Sequence, residues 1–137
     1  MATIVPVEAD VRIQSTANVS AIQYGEAVTA GDFCYVSTVD GKAYKSSALS
    51  QGEAYVTGIA LATVGLDDFG AFTTGLNQAV DLGVAAATAE LYVLSQTPGQ
   101  IMPYSDLVAG DWICYASIGD ENNLFTLKNQ PVGLQKV

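Results

Sequence analysis

The chain has 137 residues, 50% of them hydrophobic and only 14% charged, with a net charge of −9 and no histidine. That length suits one domain with its own core. Its five Lys and Arg are scattered, which excludes a phosphate-tracking basic face and with it nucleic-acid binding, and no apolar run approaches the ~18 residues of a membrane-spanning helix.

In chain order, residues 1–28 read as an extended N-terminal arm and loop. "TIVPVEADVRI" is extended in character and Pro6 keeps it out of a central strand position; "QSTANVSAIQYGEA" is polar and loop-like. The opening residues lack a basic segment followed by an apolar one, so synthesis in a cytoplasm and reduced thiols are expected. Residues 29–137 read as a single β domain. Phe33–Ser37 is a dense apolar strand. Asp40-Gly41 predicts a type I′ hairpin turn, because that turn needs positive φ, and Lys42–Ser46 returns. Tyr55–Val64 is a further strand in which Gly58 marks a bulge or a close backbone approach. Phe69–Thr74 is short and lies among glycines at 65, 70 and 75. Val80–Leu91 carries the best helical spacing in the chain, weakened by Gly83, and predicts a short helix or an irregular turn. Leu91–Ser95, a Pro98-Gly99 turn and Ile101–Tyr104 form a second hairpin. Trp112–Ile118 and Leu124–Lys128 are strands on either side of a "GDENN" loop. Many short strands between turn signals predict an all-β fold, a compact small barrel or sandwich of short antiparallel strands with the extended arm in front.

Two repetitions stand out. "YVSTVDGKAYKSSAL" at Tyr35–Leu49 resembles "YVLSQTPGQIMPYSDL" at Tyr92–Leu107, with an offset of 57 at the start and one more at the end. "TAGDFCYV" at Thr29–Val36 resembles "VAGDWICYA" at Val108–Ala116, and the only two cysteines, Cys34 and Cys114, fall inside that phrase. A third variant, "TAELYVL" at Thr88–Leu94, has neither cysteine nor glycine. The recurring feature is therefore a turn that starts a strand, with Gly31 and Gly110 allowing the turn and Asp32 and Asp111 capping nearby backbone N–H groups. Cys34 lies two residues after Asp32 and Cys114 three after Asp111, so strand alternation points the thiols to opposite faces. Both are expected to be buried free thiols.

Nothing in the sequence assembles an enzyme. Without histidine there is no His-dependent triad, no Gly-x-Ser-x-Gly elbow and no phosphate loop. The adjacent carboxylates Asp67-Asp68 and Asp120-Glu121 read as solvated turn residues. Tyr35, Tyr55, Tyr92 and Tyr115 read as strand packing, although an exposed aromatic row could also bind sugar. No cofactor and no metal are expected.

The order of phrases "VTAGDFCYVSTVDGKAYKSSA", "VTGIALATVG" and "ELYVLSQTPGQIMPYSDLVAGDWICYASIG" resembles small virion proteins of tailed bacteriophages, the capsid decoration or cement proteins, and related head-fibre proteins. The resemblance covers roughly Ala27–Leu127 and is most specific over Leu91–Ile118. It implies a β-rich structural protein that is made in the host cytoplasm, sits on the outer capsid surface of the virion and stabilises the shell. Its implied partners are the major capsid protein and further copies of itself, as a homotrimer on the shell, with no nucleic acid and no membrane. The alternative within virions is a head-fibre base or tail component with receptor or sugar binding. An N-terminal segment that reaches onto the capsid protein is part of the pattern, and the apolar arm residues Ile4, Val5, Val7, Val11 and Ile13 are the contact residues expected here. Gly31, Asp32, Gly41, Gly99, Gly110 and Asp111 are the expected structural turns. Removal of Ala2–Ile13 is expected to abolish shell binding and leave the domain folded.

Overall fold

A computed structural model describes residues 3–13, 18–74 and 76–137. Of the arm expected over 1–28, positions 1–2 and 14–17 lie outside the described residues, as does Gly75 of the glycine series. Eleven strands form two antiparallel sheets. They are β1 (Arg12–Ile13), β2 (Val19–Gln23), β3 (Phe33–Val36), β4 (Ala43–Lys45), β5 (Gly58–Ala60), β6 (Phe69–Thr73), β7 (Ala79–Asp81), β8 (Leu91–Leu94), β9 (Ile101–Pro103), β10 (Trp112–Gly119) and β11 (Phe125–Gln135). One sheet has the order β1-β7-β11-β10-β8-β9, the other β2-β6-β5-β3-β4. The fold is all-β, and of the two architectures expected it is the sandwich. No helix among the described residues is long and apolar enough to cross a membrane.

Alternation along the strands builds two cores. Phe33 and Ile59 of the five-stranded sheet join Val80, Leu94, Ile101, Phe125 and Leu127 of the six-stranded sheet in the main core. Their neighbours Cys34 and Ala60 point the other way, into a smaller cluster with Tyr24, Val28, Ala43 and Phe72. The five-stranded sheet curls around that second cluster. Its edges touch at one point, where Tyr24, just past β2, bridges Ala43 of β4 and Gly25 N–H donates to the Ala43 carbonyl at 2.9 Å. Gly58 sits where the sequence placed a close approach: a Cβ there would lie 2.0 Å from the Thr73 carbonyl oxygen of β6.

Three segments depart from the sequence-based expectations. The polar loop expected before Tyr24 contains β2, which pairs along its whole length with β6, from Val19↔Thr73 to Gln23↔Phe69; partnership on one edge outweighs a composition poor in β-formers. The helix-spaced stretch Val80–Leu91 forms no helix. Val80 is a core residue of β7, paired with Ile13 and Phe125, and positive φ at Gly83 (79°) and Ala89 (61°) turns the chain twice before β8. The last strand continues well past Lys128: β11 has 11 residues despite Pro131 and Gly133. It tolerates both because its outer half is an edge with one partner, β10, and bulges there. Trp112 pairs with Gln135 but Cys114 with Pro131, so two steps of β10 match four of β11, and Gly133 takes a φ of 76°.

The hairpin repeat is exact in register. Cys34↔Lys45, Tyr35↔Tyr44 and Val36↔Ala43 in one sheet match Tyr92↔Pro103, Val93↔Met102 and Leu94↔Ile101 in the other, a constant displacement (92 − 34 = 103 − 45 = 58). The offset of 57 at the start of the sequence alignment is thus corrected by one residue. The first hairpin also differs from the expected two-residue type I′ turn. Ser37 N–H donates to Lys42 across four loop residues, and of Asp40 and Gly41 only Gly41 has positive φ, 72°. Asp40 instead accepts from Lys42 N–H at 3.0 Å and from the Tyr44 hydroxyl, which holds its carboxyl below the usual carboxylate range.

Candidate functional site

The five apolar residues expected to reach a partner are divided by the fold. Ile4 bridges Ile101, with its N–H 2.7 Å from the Ile101 carbonyl, and Val7 N–H donates to Leu82 at 2.8 Å. Val11 is buried in the main core, and Ile4 and Ile13 pack against that core half-buried. Only Val5 and Val7 turn outward, 60% and 43% exposed. The N-terminal segment is therefore a strap across the six-stranded sheet rather than a free arm. Removing it would take Val11 out of the core and β1 off the sheet, so the expectation that a chain without Ala2–Ile13 keeps its fold does not agree with this packing.

Gly31-Asp32 and Gly110-Asp111 lie in two copies of one turn, and Ala89-Glu90 forms a third. Asp32 N–H donates to Thr29 at 3.0 Å, Glu90 N–H to Ala87 at 3.1 Å and Asp111 N–H to Val108 at 3.1 Å. The residue before each acid has positive φ: Gly31 97°, Ala89 61° and Gly110 96°. These are β-turns that launch β3, β8 and β10. Asp32 Oδ2 accepts from Thr29 N–H at 2.9 Å, and Asp111 Oδ2 from Val108 N–H at 3.0 Å. Burial raises the Asp32 carboxyl above its ordinary range. Displacement by 58 carries Thr29–Asp32 onto Ala87–Glu90. The counterpart of "TAGD" within the repeat is thus the glycine-free "ATAE", while the more similar-looking "VAGD" launches a strand outside it. Gly41 ends the exposed hairpin loop, and Gly99 (φ 84°) packs under Asp32, whose Cγ lies 2.8 Å from where a Cβ would be.

The two cysteines are free, buried and in different cores. Burial pushes the Cys34 thiol well up and the Cys114 thiol to about 12, so neither is a nucleophile near neutral pH. The adjacent carboxylates serve loops. Asp67 pairs with Lys42 at 2.8 Å, tying the loop of Leu66 to the hairpin of Val39, both exposed. Asp120 Oδ1 accepts from Asn122 and Leu124 N–H at 2.8 and 2.9 Å. Among the described residues, no three His, Cys, Asp or Glu side chains gather as metal ligands.

Two concavities among the described residues are large enough to hold a small molecule. One, of about 470 Å³, is polar and lies over Asp10, Arg12 and Asp81; the Arg12 guanidinium is already committed to the Ala9 and Val11 carbonyls at 3.0 and 2.9 Å. The other, of about 380 Å³, lies where the β11 bulge stands away from the sheet, between Tyr55, Trp112, Asn129 and Val132 with Gln51 at its rim. Sequence reasoning missed this cleft, because it is made by pairing between segments far apart in the chain. The available signal was the single tryptophan together with Pro131 and Gly133 inside a strand. No family model, no curated protein and no solved structure matches the chain.

Proposed function

We propose that the chain is a structural virion protein that binds the outer surface of a tailed-bacteriophage capsid and stabilises the shell. The observation that carries this reading is the N-terminal strap, whose backbone is fixed to the body while Val5 and Val7 face outward. A strap held this way presents apolar side chains without the ordering cost of a free arm. Repetition over a shell then multiplies modest contacts. The phrase-level likeness to decoration proteins over Ala27–Leu127 supports the same reading, as do an all-β sandwich and two buried, unreactive thiols. On this reading the protein is no enzyme, its partners are the major capsid protein and its own copies in a trimer, and its place is the virion exterior.

The test is co-sedimentation with expanded shells of the phage that encodes the chain, followed by heat challenge of the decorated shells. Wild-type protein saturates the shells and raises their disruption temperature. Val5→Asp and Val7→Asp remain folded, since both side chains are exposed, and together lose at least ten-fold in shell affinity. Failure of wild-type protein to bind shells overturns the reading and favours the fibre or tail alternative.

A further inference from the structure

We propose that the cleft between β10 and the bulged half of β11 binds a neutral saccharide, with Trp112 and Tyr55 as the stacking walls and Asn129 and Gln51 as the hydrogen-bonding groups. Its volume of about 380 Å³ falls within the ~300–1,000 Å³ of small-molecule sites. The bulge that opens it is the kind of local distortion that proteins use to re-aim side chains next to sites.

The chemistry of the lining selects the ligand class. No Lys, Arg, Asp or Glu side chain lines the cleft, so nothing there would neutralise a phosphate or a cation. The walls are two half-buried aromatic rings. Tyr55 is held in place, since its hydroxyl donates to the Val36 carbonyl at 2.9 Å and its ring packs on Tyr35 with centroids 5.0 Å apart. A pyranose has a C–H face and a hydroxyl rim. The face suits the negative face of an aromatic ring, and the rim needs donors and acceptors at the edge.

Asn129 supplies such an edge in a fixed sense. Its Oδ1 accepts from Val56 N–H at 2.9 Å. A backbone N–H can only donate, so the amide cannot be turned round, and the Asn129 NH2 is left free to donate. Gln51, exposed at the rim, adds a second amide. The proposal does not depend on the capsid reading; a protein that fails to bind shells can still hold sugar here.

The single tryptophan of the chain makes the test direct. The intact protein is titrated with triacetylchitotriose, maltotriose and cellotriose while Trp112 emission is followed, with free N-acetyltryptophanamide as the control. At least one of the three produces a saturable change absent from the control, with a midpoint on the order of 1 mM. Asn129→Asp keeps the acceptor for Val56, removes the donor and weakens binding about ten-fold or more. Gln51→Ala weakens it roughly five-fold, the loss of one neutral hydrogen bond, and Val132→Glu at the bulge abolishes it. Circular dichroism and melting of each variant confirm the fold, and isothermal calorimetry repeats the ranking without the fluorophore. The proposal is overturned by a flat titration with all three sugars, or by binding that none of the folded variants changes. It is equally overturned by finding Trp112 covered in a self-associated form of the protein in solution.

Discussion

Gly31 and Gly110 occupy the same position in two copies of one turn, with φ of 97° and 96°, yet replacing them with alanine should have unequal effects. At Gly110 a Cβ meets nothing within 4 Å, so the cost is backbone strain alone, about 1–2 kcal/mol. At Gly31 the same Cβ lies 2.6 and 2.8 Å from Cβ and Cγ of Pro6 and 3.2 Å from Val11 Cγ2. A proline ring cannot swing aside, so the strap must shift, and overpacking adds about 1–3 kcal/mol. Gly31→Ala is therefore expected to cost roughly 2–5 kcal/mol by urea unfolding, and Gly110→Ala to stay at the strain term. Pro6→Gly removes both clashing atoms. In that background the cost of Gly31→Ala should fall most of the way to the Gly110 value, leaving only the Val11 contact at 3.2 Å, while the cost of Gly110→Ala stays unchanged, since the two sites share no contact. Equal costs for the two glycines in the wild-type background, or no coupling between Pro6 and Gly31, would refute the packed strap.

Three further outcomes test the interior. Cys34→Ala and Cys114→Ala should each cost about 1–2 kcal/mol, as small losses of buried volume, and a thiol reagent at pH 8 should label neither cysteine until urea is added; rapid labelling of native protein contradicts the buried placement. Gly58→Ala should cost at least about 3 kcal/mol, because its Cβ would fall on the Thr73 carbonyl oxygen 2.0 Å away; soluble, fully folded Gly58→Ala rules out the close pairing of β5 with β6. Burial raises the Asp32 pKa in the folded chain, so the fold prefers the protonated form: this stability is present below the unfolded pKa and is lost as pH rises through the folded one. Asp32→Asn keeps the acceptor for Thr29 and removes the charge. It should melt higher than wild type at pH 7, with the gap closing toward pH 3, and a gap that widens in acid reverses the assignment.

Local signals carried much of this fold. Gly58, Asp40-Gly41 and Pro98-Gly99 marked a close approach and two loops, and the apolar runs around Phe33, Tyr92 and Trp112 marked the strands between them. These are properties of a few adjacent residues, which is what a sequence displays. What stayed hidden depended on partners far along the chain. β2 lies in a polar, loop-like stretch and becomes a strand through β6, and the helix-like spacing of Val80–Leu91 comes from one core strand and a double turn. The strap looks like a free arm in the sequence because an extended apolar stretch with Pro6 is all that is visible locally, while its ties run to Leu82 and Ile101. The cleft at Trp112 needs three separate segments at once, so only the lone tryptophan, with Pro131 and Gly133, hinted at it.

The repeated hairpin shows how one unit can serve two purposes. In both copies a serine hydroxyl caps the loop, Ser37 for Val39 N–H at 3.2 Å and Ser95 for Thr97 N–H at 3.1 Å. The copies part at the loop glycine. Gly41 N–H closes its own loop onto Ser37, whereas Gly99 N–H leaves its loop to donate to Ser46 at 2.7 Å, and the Gly99 carbonyl accepts from Phe33 N–H at 2.9 Å. The second loop is thereby bound to the base of the first hairpin and covered by Asp32. It acts as a clasp between the two sheets, alongside Ala48 N–H donating to Ser95 and Trp112 N–H to Ala48. The first loop has no such duty and holds Val39 in solvent, 93% exposed. Because the clasp already joins the sheets, the first tip is free to change its residues without loss of the fold. If the capsid reading proposed above holds, Val39 joins Val5 and Val7 as an exposed apolar side chain available for that contact.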